Sequence, residues 1–295
     1  KAKVPMHGNS SPVVWGDRIF VTGADRAARK IFCYERATGK LLWETTITTE
    51  ATLGEDFQEY EDTGLAAPTV ATDGVRVYAF FGTAELAAVD FGGRQIWSRW
   101  FGKPESIYGL ATSPMLYDGM LYLQLDQSGP SAGKSFLYAI DPKTGKDLWK
   151  VSREVGNSWS SPVVAETEQG KVLITAGNPW TIAYDAEMGA ELWRARVLMG
   201  DVAPLPVYAD GLFFVTTEYA VLAGIRAGGD GDVTDTHVVW QHYDDLPDVA
   251  SPVTDGKLLL IANGGGYVTC LEAKTGKVKW LKELESGFWS SPTLV

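Results

Sequence analysis

Cysteine is almost missing: Cys33 and Cys270 are the only two in 295 residues. Two thiols cannot staple a disulfide scaffold. They occupy equivalent places in two repeats described below, which puts each inside its own strand and argues against a pair. Histidine is as scarce, with His7, His237 and His242 alone. The last two straddle Trp240 on opposite faces of a strand, a poor arrangement for sharing a metal. No apolar run approaches the roughly 18 residues that a bilayer span needs. No segment keeps a 3.6-residue apolar period for three turns, so helix is poorly supported. Positive charge is in deficit, with 26 Lys and Arg against 37 Asp and Glu and a net charge of −11. That balance repels phosphate backbones and anionic membrane surfaces, which excludes non-specific nucleic-acid binding. The chain opens on Lys1 without a methionine and reads as a processed or trimmed piece.

What is present in excess is tryptophan, at 11, and glycine, at 32. Both follow from repetition. A small residue, a proline and an apolar run recur at Ser11-Pro12, Ala67-Pro68, Ser113-Pro114, Ser161-Pro162, Leu205-Pro206, Ser251-Pro252 and Ser291-Pro292. A second mark, turn–glycine–x–x–x–tryptophan, ends each repeat at Trp43, Trp97, Trp149, Trp193, Trp240 and Trp280, with a degenerate copy before Trp240. Between the marks lie four short apolar stretches, in the first repeat Pro12–Trp15, Arg18–Thr22, Ile31–Glu35 and Leu41–Thr45. Strands of this length joined by Asp-Gly and Thr-Gly turns read as an antiparallel meander.

A four-stranded meander cannot bury both faces alone. Radial repetition packs each sheet on the next and leaves only short edges, which is the propeller solution. The period varies between 40 and 56 residues, too long and uneven for a stacked solenoid. The expected fold is therefore all-β, a β-propeller in one domain over 1–295. Blades are expected at about 11–47, 67–100, 113–151, 161–196, 205–242 and 251–283, with strands of incomplete blades at 1–5 and 291–295. The six indoles at one position are expected to wedge between neighbouring blades, each docking on the next Thr-Gly turn.

The paired marks, best seen in Ala139-Ile140-Asp141-Pro142-Lys143-Thr144-Gly145-Lys146-Asp147-Leu148-Trp149, resemble the pyrroloquinoline-quinone repeat. That superfamily includes quinoprotein alcohol dehydrogenases, the propeller lipoprotein of the outer-membrane β-barrel assembly machinery, and secreted bacterial propellers. The resemblance implies a parent of seven or eight blades, eight being typical, of which six complete repeats and the start of a seventh stand here. It also implies a periplasmic or secreted location. For a dehydrogenase it implies an adjacent cysteine pair, calcium-binding carboxylates and a catalytic aspartate. The cysteine pair is absent, so the expected cofactor is none, with calcium-bound quinone as the alternative.

Other motifs carry little. Gly129-Pro130-Ser131-Ala132-Gly133-Lys134-Ser135 has three residues between its glycines where a phosphate-binding loop needs four, and a strand follows it. Asp230, Asp232 and Asp235 lack the flanking helices and closing glutamate of a calcium loop and read as a solvated acidic loop. No metal site and no catalytic residue are expected.

The connections from each outer strand to the next inner strand share one face with the second-to-third-strand loops. The longest, Thr46–Leu65, carries Glu50, Glu55, Asp56, Glu59, Glu61 and Asp62 beside Phe57 and Tyr60. Others bring Tyr108, Trp159, Trp180, Tyr219, Tyr243, Phe288 and Trp289. Loop aromatics favour binding. Phe57, Tyr60, Tyr108, Trp159, Trp180, Tyr243 and Trp289 are thus candidate contacts for a protein partner or small ligand. The expected function is a non-enzymatic scaffold; a quinone-dependent oxidoreductase and a carbohydrate-binding or -processing protein are the alternatives.

Overall fold

Each repeat closes on itself as a meander because its turns demand it. At Asp118-Gly119 and Asp210-Gly211 both residues take positive φ, the geometry of a two-residue hairpin that matches strand twist. In the Asp-x-x-Thr-Gly turns the aspartate organises the backbone. Asp141 Oδ1 accepts from Lys143 N at 2.8 Å, and Gly145 N reaches Asp141 O at 2.8 Å.

The computed structural model describes residues 2–294. The chain divides into two compact units: residues up to Ser128 with Phe136–Lys150, and Gly129–Ser135 with Val151 onward. The first unit holds three antiparallel sheets. They are β1 (Val13–Trp15), β2 (Arg18–Ala24), β3 (Arg29–Glu35) and β4 (Leu41–Thr46); β5 (Ala71–Thr72), β6 (Arg76–Phe80), β7 (Glu85–Asp90) and β8 (Gln95–Trp100); and β9 (Met115–Tyr117), β10 (Met120–Leu125), β11 (Phe136–Ile140) and β12 (Asp147–Ser152), all in sequential order. Alternate residues of β6 feed two cores. Val77 and Ala79, with Phe81 just beyond the strand, pack towards Phe20 and Ile31 of the first sheet, while Tyr78 and Phe80 pack towards Leu121, Leu123 and Tyr138 of the third. A buried ion pair, Arg29–Glu85, also ties the first two sheets, and Thr83 Oγ1 donates to the same carboxylate.

The second unit repeats the pattern. Its fourth sheet is β13 (Val163–Thr167), β14 (Gly170–Gly177), β15 (Trp180–Asp185) and β16 (Glu191–Arg196). The fifth runs β17 (Val207–Ala209), β18 (Leu212–Thr217), β19 (Val221–Arg226) and, after an insertion, β21 (Val238–His242). The sixth is β22 (Val253–Thr254), β23 (Leu258–Ala262), β24 (Tyr267–Glu272) and β25 (Val278–Glu283). The three aspartates of the insertion are solvent-exposed, as expected, but the segment also takes regular structure. It contains β20 (Gly231–Asp232), paired in parallel on the outer side of β16, and a single helical turn, α1 (Thr234–His237). Val233 between them is buried at 2% exposure in the core that holds Trp193, and that apolar anchor orders the segment.

The tryptophan position has a consistent local chemistry. Across the ladder, Trp43, Trp97, Trp193, Trp240 and Trp280 face Cys33, Ala88, Ala183, Gly224 and Cys270. A β-bulge follows each of these pairs, and each facing residue is small because an indole covers it. A Cβ on Gly224 would stand 2.5 Å from the Trp240 ring. The two cysteines are therefore buried, free thiols in separate sheets. Burial pushes Cys33 up to about 11.

Three indoles dock inside their own units. Trp43 Nε1 donates to Phe91 O at 2.9 Å, Trp97 Nε1 to Pro142 O at 3.0 Å and Trp240 Nε1 to Ala273 O at 2.9 Å. Their rings cover Gly93, Gly145 and Gly276. Trp193, facing the degenerate repeat with no such turn, is buried by the insertion instead. Trp149 packs on Tyr122 of its own sheet at 5.9 Å. Trp280 departs from the expected wedge: it is 45% exposed, because no sheet follows β25 among the described residues. The stretches expected as strands at both ends also differ. Residues 2–5 and 291–294 form no ladder, since a strand exists only by pairing and none of the described strands pairs with them.

Candidate functional site

The loop face of the second unit carries the most exposed aromatic surface. A groove of about 460 Å³ is bounded by the β14–β15 turn, the segment leaving β16, the β18–β19 turn and the end of β21. Into it converge Tyr219, Tyr243 and Met199, exposed at 73%, 62% and 58%. Large side chains so exposed contribute little to the core, and several meeting in one groove make it a candidate contact surface. Tyr243 OH donates to Gln241 Oε1 at 2.8 Å, which fixes the ring at the groove wall. The Tyr219 phenol is pushed above its ordinary range, first by its hydrogen bond to Glu218 and by that carboxylate's charge, then by Asp248 and Asp201.

Arg196 supplies the groove's positive charge and is already engaged. It and Arg194 lie over the Trp180 ring at 5.9 and 5.1 Å, and Arg194 is held by both oxygens of Glu191. Trp180 is thus half-buried under two guanidinium groups. Elsewhere on this unit, the Trp289 ring is 70% exposed and rests over the glycine run at Gly264, close to Asp248. Trp159 is half-buried, and its backbone N–H donates to Val202 O at 2.8 Å.

In the first unit the candidates gather around a smaller cavity of about 140 Å³. Tyr60 lines it and meets Tyr108 edge-on, with centroids 6.2 Å apart. The Asp56–Lys103 ion pair stands in its wall. Phe57 does not serve as an exposed contact. It is 7% exposed, packed in the core of the first two sheets beneath the Arg26 guanidinium, whose Nη1 donates to Phe57 O at 3.1 Å. An unpatterned loop gives no period by which to see such anchoring in the sequence. Met199, Arg196 and Gln241 also line the groove, and nothing in the sequence singles them out. Their convergence joins strands from two repeats, and no local motif reports it.

Six four-stranded antiparallel meanders, three of them with an indole docked on a glycine turn of the next, define a β-propeller of the quinoprotein-like repeat. The profile of outer membrane protein assembly factor BamB matches residues 1–132 and 133–286, and the chain belongs to that family. An outer membrane protein assembly factor BamB from Alkalilimnicola ehrlichii is 32% identical over 214 residues, 70% of this chain and 50% of the relative. The quinohemoprotein alcohol dehydrogenase of Comamonas testosteroni is 24% identical over 193 residues, 61% of this chain but 21% of the enzyme. The chain thus spans half or less of these curated relatives. The crystal structure of BamB from Moraxella catarrhalis superposes with a TM-score of 0.69 at 15% identity, covering 95% of this chain and 77% of that one. That likeness shows the fold.

The dehydrogenase relatives raise the question of a calcium-bound quinone. Its stacking platform would be adjacent cysteines, whereas Cys33 and Cys270 lie in different sheets. Among the described residues no three His, Cys, Asp or Glu side chains are grouped to hold a metal ion. The donors present do not fit the group.

Proposed function

We propose that this chain is a non-enzymatic scaffold of the bacterial cell envelope, periplasmic or secreted, that binds a protein partner on the loop face of its second unit. Both units belong to one propeller domain on this reading, since one repeat runs through both. The observation that carries it is the convergence of exposed Tyr219, Tyr243 and Met199 in one groove. Exposed aromatics and methionine at the centre of a concave surface are the residues that dominate protein interfaces. Membership of a family named for outer-membrane protein assembly supports a partner from that process.

The test is quantitative binding to purified components of outer-membrane protein assembly. Tyr219→Ala with Tyr243→Ala should weaken binding at least tenfold while the thermal midpoint stays within about 2 °C. Each side chain is more than half exposed, so little stability rides on it. Unchanged affinity in the double variant would move the site elsewhere.

A further inference from the structure

Every outer strand of a blade has a free backbone edge, which proteins normally guard with charge, proline or cover. Here one such edge is already occupied by the chain itself. β20 lies in parallel on the outer side of β16, Val233 N donates to Arg194 O at 2.8 Å, and Arg196 N donates to Thr234 Oγ1 at 2.8 Å. The rim of this fold therefore accepts an added strand. Counted from the shared tryptophan, Gln241 and Tyr243 stand where Arg194 and Arg196 stand in the fourth sheet, so their backbone groups point outward in the same way.

The other edges are guarded to different degrees. β4 carries Glu44, β8 Arg99, β12 Asp147 and Lys150, and β25 Lys279, Lys282 and Glu283. β21, Val-Val-Trp-Gln-His, has no acidic residue, lysine, arginine or proline, and it ends its sheet with nothing paired beyond it among the described residues. Val239 on it is 37% exposed, and the strand runs directly into the groove at Gln241 and Tyr243.

We infer that β21 is a docking edge that takes an extended segment of the partner as a fifth strand, with backbone hydrogen bonds at Gln241 and an apolar side chain against Val239. The occupant is an extended peptide of alternating apolar and small polar residues. Such a peptide can match both the unguarded ladder and the apolar contact beside it. This rests on the partner-binding reading of the same face and specifies how the partner is held.

The probe is a fluorescent eight-residue peptide of alternating valine and threonine, flanked by lysines, compared with its copy N-methylated at alternate residues. The copy keeps charge and side chains and loses one edge of donors. Wild-type protein should bind the first at least tenfold more tightly than the second. Gln241→Pro, which removes one outward N–H, should lower affinity about tenfold. Equal binding of the two peptides, or no binding to the wild type at millimolar peptide, would overturn the inference even if Gln241→Pro fails to fold. Loss of partner binding in the Tyr219/Tyr243 double variant alongside equal peptide binding would leave the partner site standing and remove only the added strand.

Discussion

The docking of an indole on a glycine turn can be weighed by substituting turns of the same conformation with and without the ring. Gly39 and Gly145 end equivalent turns in the first unit, with φ of +70° and +73°. A Cβ at Gly145 would stand 2.7 Å from the Trp97 ring, closer than any real contact, and Trp97 is fixed by its bond to Pro142 O. A Cβ at Gly39 would meet only the Ala2 Cβ at 3.3 Å. Alanine at either site bears the left-handed penalty of about 1–2 kcal/mol. At Gly145 the overpacking of a held aromatic adds about 1–3 kcal/mol. Gly39→Ala should therefore cost about 1 kcal/mol and Gly145→Ala about 3 kcal/mol. With a urea m-value of about 3 kcal/mol/M, the second moves the midpoint down by about 1 M and the first by a third of that. Urea titration followed by tryptophan fluorescence reads both, and the emission of Gly145→Ala should shift red as Trp97 loses its seat. Equal losses in the two variants would show that the indole adds nothing beyond backbone strain.

Three further outcomes follow from the same geometry. Glu85→Gln leaves Arg29 charged and uncompensated in the core, so it should cost about 3–5 kcal/mol, whereas Arg29→Met with Glu85→Leu should cost less than the single change; chemical denaturation of the pair decides it. Cys33, its thiol raised to about 11 by burial, and Cys270, raised by the same cause, should resist a thiol reagent at pH 8 and react only at the rate of unfolding. Fast labelling of either in the folded protein would contradict their burial. Asp141, Asp90 and Asp255 are held below the ordinary carboxylate range by turn amides of Lys143, Arg94 and Leu258. The folded state thus binds fewer protons, and stability present above about pH 4 should fall as the pH drops further. A urea midpoint that rises or stays flat between pH 4 and pH 3 would contradict this, and Asp141→Asn should flatten the decline.

How much the sequence disclosed depended on whether a feature repeats. The blades were legible because proline, turn glycine and tryptophan return at intervals, and each is forced by local geometry. Even the two cysteines belong to that pattern, although their cause, an indole lying over each, needed the ladder register to be seen. The departures occur where a repeat is broken. Before Trp240 the glycine turn is lost, Trp193 has nothing to dock on, and an insertion supplies Val233 and a fifth strand in its place. The aspartates of that insertion dominated its composition, and one buried valine decided its structure. The candidate site was legible only in part, for a related reason. Aromatic loops could be named, but Phe57 and Tyr219 look alike in sequence, and only packing makes one a core anchor and the other an exposed ring.

The insertion also bears on why a binding edge would arise in the fifth blade and not in another. Residues 227–237 leave the fifth sheet, cover the edge of the fourth, and return to begin β21. Covering β16 removes one edge from solvent, and Glu191 and Arg194 pair beside it. The strand that follows the detour is spared the Thr-Gly-Lys turn that precedes tryptophan in the first, third and sixth repeats. It therefore enters its sheet without a lysine ahead of the indole, unlike β4, β12 and β25. One insertion thus closes the rim of one blade and leaves the next uncharged. If that coupling is physical, restoring Thr-Gly-Lys before Val239 should reduce strand capture at β21 while Trp240 keeps its bond to Ala273, which near-ultraviolet circular dichroism can follow. Undiminished capture would mean that charge at the strand's entry does not guard it.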